Sequence, residues 1–144
     1  MKNSSKSFPL MYNNISRDDI NIIIKFLKKN PKLTAGKQCL KFEKAWSKWL
    51  GVKYSIFVNS GSSANFLTFA ALKNFIKKDK RREILVPTLA WNSDIVSVIY
   101  NGFIPRFVDI DLKNLSMKIE DIQKKINSKT LAIFITHVQG FNAI

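Results

Sequence analysis

The sequence has a single cysteine, Cys39, so it can form no internal disulfide. It also has a single histidine, His137, and no Cys/His cluster with metal-ligand spacing. Acidic residues are few: ten Asp and Glu stand against 24 Lys and Arg, a formal net charge of +14. No apolar run approaches the roughly 20 residues that cross a bilayer, so no membrane partner is expected. The opening Met1–Pro9 is polar and lacks the apolar stretch of a secretory peptide, which predicts a cytosolic protein. Internal repeats and low-complexity segments are absent. With 46% apolar residues the chain is not disordered by composition, and its 144 residues suffice for one domain with a core rather than two.

So basic a chain raises the question of nucleic acid or another anionic polymer. The lysines, however, are spread along it: Lys25, Lys28, Lys29 and Lys32, then Lys37, Lys41, Lys44 and Lys48, then Lys73, Lys77, Lys78 and Lys80. Many fall on the polar faces of amphipathic helices, and no aromatic residues alternate with them as in a single-strand-binding platform. A solvated face is the expected reading, with no nucleic-acid partner. An anionic small-molecule substrate would account for a few of the charges.

Ser16-Arg-Asp-Asp19 has the form of a capping box, and Ile20, Ile23, Ile24 and Leu27 follow at helical spacing up to Asn30-Pro31. A second helix is expected through Leu40, Phe42, Ala45, Trp46 and Trp49, its apolar residues mostly facing inward, with Gly51 as its stop. Beyond this helical arm (residues 1–51) the pattern changes. Tyr54–Val58, Glu83–Val86, Ile104–Asp109 and Thr130–Thr136 are β-type runs. Between them lie helical patterns over Ala64–Ile76 (Leu67, Ala71 and Phe75 on one face), Asn92–Tyr100 (burying Ile95, Val98 and Ile99) and around Ile119, Ile122 and Ile126. Strands alternating with helices predict an α/β domain over 52–144, a mostly parallel sheet with flanking helices. Right-handed crossovers then set every strand's carboxyl end on one edge, where ligands of such sheets bind. Four strands alone would leave an open sheet edge and an incomplete core, so the isolated chain is expected to be poorly soluble.

Four places could carry chemistry along that edge. In Asn59-Ser-Gly-Ser-Ser63 a glycine lets the backbone approach an anion, and Ser62 and Ser63 open a helix whose amides and dipole suit a phosphate. Neither a dinucleotide fingerprint nor a P-loop is present. On spacing alone an ordinary serine-capped turn is the favoured reading. Pro87-Thr-Leu-Ala-Trp91 brings an indole to the same edge, either to stack on a flat ring or to pack between helix and sheet. His137 follows the last strand, as an acid/base group or a structural histidine. Asp109 and Asp111 follow the third strand and suit a turn.

Taken in order, these segments resemble the DegT/StrS-type family of PLP-dependent nucleotide-sugar aminotransferases and related dehydrases. The matching residues are Leu33-Thr-Ala-Gly36, Phe42-Glu43, Leu50–Tyr54, Asn59–Ala64, Val86–Trp91, Gly102–Pro105, Phe107–Asp111, Ile119-Glu120 and Lys129–Ile133 through His137 to Gly140. The resemblance implies the N-terminal part of the large domain of a fold-type I PLP-dependent transferase, with pyridoxal 5'-phosphate as cofactor. It implies that Gly61, Ser62 and Ser63 hold the cofactor phosphate and that Trp91 stacks on the pyridine ring. Thr34, Gly36 and Lys37 would lie on a loop near the substrate entrance, and His137 near the substrate. A keto-sugar nucleotide and an amino-acid donor, glutamate above all, are the implied substrates, surface polysaccharide synthesis the implied pathway, and a homodimer the implied state. The Schiff-base lysine, or the histidine that replaces it in dehydrases, is expected after Ile144, so no catalytic residue is expected within this chain and no turnover by it alone. A dehydrase of the same family, a noncatalytic basic binding module and a truncated copy that pairs with a longer relative are the rival readings.

Overall fold

The computed structural model describes residues 11–76 and 80–143. The polar opening Met1–Pro9, Lys77, Lys78 and Ile144 lie outside the described residues. The chain divides into two compact units, one ending at Phe57 and the other starting at Val58.

In the first unit Ser16 starts helix α1 (Arg17–Leu27) as the capping box predicts. Its hydroxyl oxygen accepts from the Asp19 amide at 3.2 Å, and the Asp19 carboxylate accepts from the Ser16 amide at 2.8 Å. The Ser16 hydroxyl also donates to that carboxylate at 2.7 Å, and this bond first, then the one from the Ser16 amide, holds the Asp19 carboxyl below the usual carboxylate range. Helix α2 (Lys37–Leu50) starts at Gly36 and stops at Gly51, whose φ of +75° is left-handed geometry that glycine adopts without strain.

The expected inward faces of these helices stay open. Ile20, Ile23, Ile24 and Leu27 on α1, and Leu40, Phe42, Ala45, Trp46 and Trp49 on α2, are all exposed. Two helices and one returning segment have too little surface to cover two apolar stripes. Phe42, Trp46, Trp49 and Phe57 pack on one another instead. Phe42 meets Phe57 edge-on at 5.4 Å, and Trp46 lies 4.9 Å from Trp49. Cys39 is half-buried, and desolvation followed by the Glu43 carboxylate raises its thiol, the reverse of an activated thiolate.

Tyr54–Val58 does not form the expected strand. Tyr54, Ile56 and Phe57 are exposed, and the Phe57 amide donates to the Glu43 carboxylate at 2.8 Å. A strand exists only by pairing, and among the described residues this run has no ladder partner.

The second unit is a parallel sheet of three strands, β1 (Glu83–Pro87), β2 (Ile104–Val108) and β3 (Thr130–Ile133), in the order β2-β1-β3. Leu85 lies opposite Arg106 on one side and Ile133 on the other. Helices α3 (Gly61–Phe75), α4 (Asn92–Tyr100) and α5 (Ile119–Lys125) flank it. The central strand is buried on both faces, as its unbroken apolar run requires. Ile84 and Val86 pack with Phe69, Val98 and Phe103. Leu85 packs with Val108 and Met117, and Ile122 of α5 closes that side.

Several element bounds and faces differ from expectation. β2 ends one residue early, at Val108. β3 ends at Ile133, although the Phe134 amide still reaches the Leu85 carbonyl at 2.8 Å. On α3 the inward face is the buried Phe69 with the half-buried Leu72, continued by Ile76 just past the helix, while Leu67, Ala71 and Phe75 are exposed. This helix is apolar nearly all round, so periodicity cannot choose its face; packing against α4 and the sheet does. On α4, Val98 is fully buried and Ile95 packs on the core, but Ile99 is exposed and Asp94 and Ser97 are buried in its place. Among the described residues no helix is long and apolar enough to cross a membrane.

Candidate functional site

The helix after Asn59 begins three residues earlier than its apolar pattern indicates. Ser60 is the cap of α3, its hydroxyl oxygen accepting from the Ser63 amide at 3.1 Å. Gly61, Ser62 and Ser63 are therefore the first three residues of the helix. The amides of Gly61 and Ser62 take no partner among the described residues, as geometry demands of a helix start. They point outward at the positive end of a 15-residue dipole. A Cβ built on Gly61 meets nothing within 4 Å, and its φ is not left-handed. Neither conformation nor packing within the described chain asks for glycine here. Bare backbone facing open space is what close approach of an anion uses. Beside this start lies a hollow of about 510 Å³ lined by Asn59, Ser62, Ser63, Phe66, Ser93 and Tyr100, among others.

Trp91 leaves the end of β1 and caps α4 through its backbone alone, its carbonyl accepting from the Asp94 amide at 2.9 Å. The residue is 76% exposed, so the ring does not pack between helix and sheet. His137 follows β3 and is also exposed. Its Nδ1 accepts from the Ala143 amide at 3.1 Å, which leaves the proton of the neutral ring on Nε2. The next residues turn back through Gln139 at φ +54° and Gly140 at φ +83°.

One residue that the sequence did not single out joins these segments. The Asp94 carboxylate is buried. Its Oδ1 accepts from the Asn65 side-chain amide on α3 at 2.7 Å, and its Oδ2 accepts from the Thr136 hydroxyl, next to His137, at 2.9 Å. These partners are 29 and 42 residues away along the chain, so no local pattern reveals them. An acid in the first turn of a helix looks in sequence like a dipole-pairing residue and nothing more. The bonds bring the start of α3, the start of α4 and the exit of β3 to the carboxyl edge of the sheet.

Thr34, Gly36 and Lys37 belong to the first unit. Thr34 and Lys37 are exposed, Gly36 precedes α2, and the three line a hollow of about 730 Å³ with Phe26, Leu33 and Leu40. Asp109 and Asp111 serve the turn after β2. Asp109 accepts from the Ile110 amide at 2.9 Å and pairs with Lys118 at 3.3 Å, and Asp111 accepts from the Lys113 amide at 2.8 Å. The Ile110 amide first, then Lys118, hold the Asp109 carboxyl below its ordinary range. Among the described residues no group of three or more His, Cys, Asp or Glu comes together to hold a metal.

A parallel sheet with helices on both faces, its candidate residues along the carboxyl edge, places the protein in the α/β class. The chain belongs to the DegT/DnrJ/EryC1/StrS aminotransferase family, whose profile matches residues 13–143. It is 34% identical over 137 residues to the GDP-4-keto-6-deoxy-D-mannose 3-dehydratase of Yersinia pseudotuberculosis, covering 93% of this chain and 34% of that one. To the GDP-perosamine synthase of Vibrio cholerae it is 31% identical over 105 residues, 73% of this chain and 28% of the relative. Among solved structures, the GDP-4-keto-6-deoxy-D-mannose-3-dehydratase of E. coli with bound hydrated PLP superposes with a TM-score of 0.79 at 32% identity, over 90% of this chain and 33% of that one. The chain thus spans about a third of the length of these relatives.

Proposed function

We propose that this chain forms the front part of the PLP-binding large domain of a sugar aminotransferase, with residues 1–51 as a helical arm. The observation that carries the reading is the start of α3: two unpartnered amides, two serine hydroxyls and a glycine open to solvent, in a member of a family with PLP-bound relatives. These groups fit the phosphate end of the cofactor, since a dianion there meets N–H and O–H donors and a positive dipole end. The exposed Trp91 ring fits its flat face. When bound, the cofactor supplies an electron sink that stabilises a carbanion beside its ring.

The residues of this chain bind and orient. Gly61, Ser62 and Ser63 anchor the phosphate, and Trp91 fixes the ring plane. His137, with its Nε2 proton available, donates a hydrogen bond to the substrate. Thr34, Gly36 and Lys37 approach the substrate entrance, where the lysine charge suits a nucleotide diphosphate. The group that forms the Schiff base, or replaces it, lies outside this chain, so the chain alone has no turnover. The substrates are a keto-sugar nucleotide and an amino-acid donor such as glutamate, the pathway is surface polysaccharide synthesis in the cytoplasm, and the working state is a homodimer.

The test uses the polypeptide expressed from its coding frame through to the stop codon, supplied with PLP, glutamate and GDP-4-keto-6-deoxy-D-mannose. Mass spectrometry showing an amino sugar supports the proposal, and absence of PLP binding refutes it. A 3-dehydratase is the second reading, favoured by the 34% identity to such an enzyme across 93% of this chain. A 3-deoxy sugar in the same assay selects it.

A further inference from the structure

Asp94 has a feature that helix capping does not explain. It lies within the first turn of α4, where a solvated carboxylate would already complement the dipole. Here it is only 5% exposed. Burying a carboxylate costs more than exposing it unless its oxygens are met by donors. No Lys or Arg pairs with it among the described residues; its charge is met by the Asn65 amide on one oxygen, the Thr136 hydroxyl on the other, and the helix end. A neutral Asn or Thr would complement the helix at smaller desolvation cost, but neither presents two acceptor oxygens to donors from two different elements.

The three segments it joins are those that carry the candidate site. Asn65 lies two residues beyond Ser63 and about one turn beyond Gly61; Trp91 precedes Asp94 by three residues, bonded to it through the backbone; and Thr136 adjoins His137. We propose that Asp94 is a positioning residue that sets the spacing between the phosphate cup of α3 and the indole of Trp91, and so the plane in which PLP is held. This rests on the reading of the site given above. Without the carboxylate, the Asn65 amide and the Thr136 hydroxyl lose their shared acceptor, α3 can move against α4, and phosphate and ring contacts cannot both be made at full strength.

The test compares the parent, expressed through its stop codon, with Asp94→Ala, Asp94→Asn and Thr136→Val. PLP affinity is measured by equilibrium dialysis, ring orientation by the circular dichroism of bound PLP, and stability by melts without PLP. Asp94→Ala is expected to weaken PLP binding by about tenfold and to diminish or invert the dichroic band. Asp94→Asn, which can accept one bond and donate another, and Thr136→Val, which removes one bond, are each expected to weaken binding by about threefold. Variants that melt lower but keep the parent affinity and dichroic band would show that Asp94 only stabilises the fold, and would overturn the proposal. If Asp94→Ala does not fold, Thr136→Val decides by the same two readings. A parent that takes up no PLP overturns the cofactor reading itself, and this proposal with it; a parent that binds while the variants match it overturns this proposal alone.

Discussion

Replacing Trp91 by alanine separates the two roles an indole can have at a sheet edge. A tryptophan buries up to roughly 250 Å² when fully covered. Here 76% of the residue is exposed, so about 60 Å² is at stake. At about 25 cal/mol per Å² that is at most about 1.5 kcal/mol of stability, and less once a compact unfolded chain is the reference. A core tryptophan would cost about 3–5 kcal/mol. Stacking on a bound ring contributes about 0.5–1.5 kcal/mol, which is about a 2- to 12-fold change in Kd. Trp91→Ala is therefore expected to leave denaturant stability nearly intact while weakening PLP binding by that factor, and Trp91→Phe to restore most of the affinity. Urea melts and PLP dialysis on the same preparations read both quantities. A loss of 3 kcal/mol or more, or an unchanged PLP Kd, would refute the reasoning.

Four further substitutions probe the rest of the fold and site. Leu85→Ala, at a fully buried position of the central strand, is expected to cost about 2–5 kcal/mol, read as a lower urea midpoint. Ser60→Ala removes the cap of α3 and is expected to cost about 1 kcal/mol of stability. Ser62→Ala removes no bond to the described chain and is expected to leave the melt unchanged while weakening PLP binding. Equal stability losses from the two serine changes would show that both serve only the helix. For Asp109, the folded-state pKa is depressed, so its contribution is complete above the unfolded carboxylate value of about 3.9 and is lost as pH falls through the lower folded value. Asp109→Asn is thus expected to be less stable than the parent at pH 7 and to match it below that folded value. A stability gap that stays constant across that range would refute the assignment.

Much of the second unit was legible locally because its signals are local. Ile84–Val86 is an unbroken apolar run that only a two-sided burial satisfies, and it lies in the central strand. The helix over Asn92–Tyr100 and the parallel alternation also follow from period and spacing. In the first unit, Ser16 with Asp19 and the stop at Gly51 are conformational requirements written in single residues. The inward side of α3 was not legible, because a helix apolar nearly all round has no preferred face until a partner supplies one. Tyr54–Val58 has strand composition, but composition does not provide a neighbour.

For the candidate site the division is similar. Sequence alone determined the serine-glycine turn, from its small and capping residues, and the positions of the indole and the single histidine, since each of those two follows a strand that pattern can locate. Tertiary structure decided that Trp91 faces solvent rather than the core. It also decided that Asp94 bonds at once to residues 29 and 42 positions away. The physical reason is range: turns and helix ends are set by neighbours in the chain, whereas burial and a shared carboxylate depend on which distant elements the folded sheet brings together.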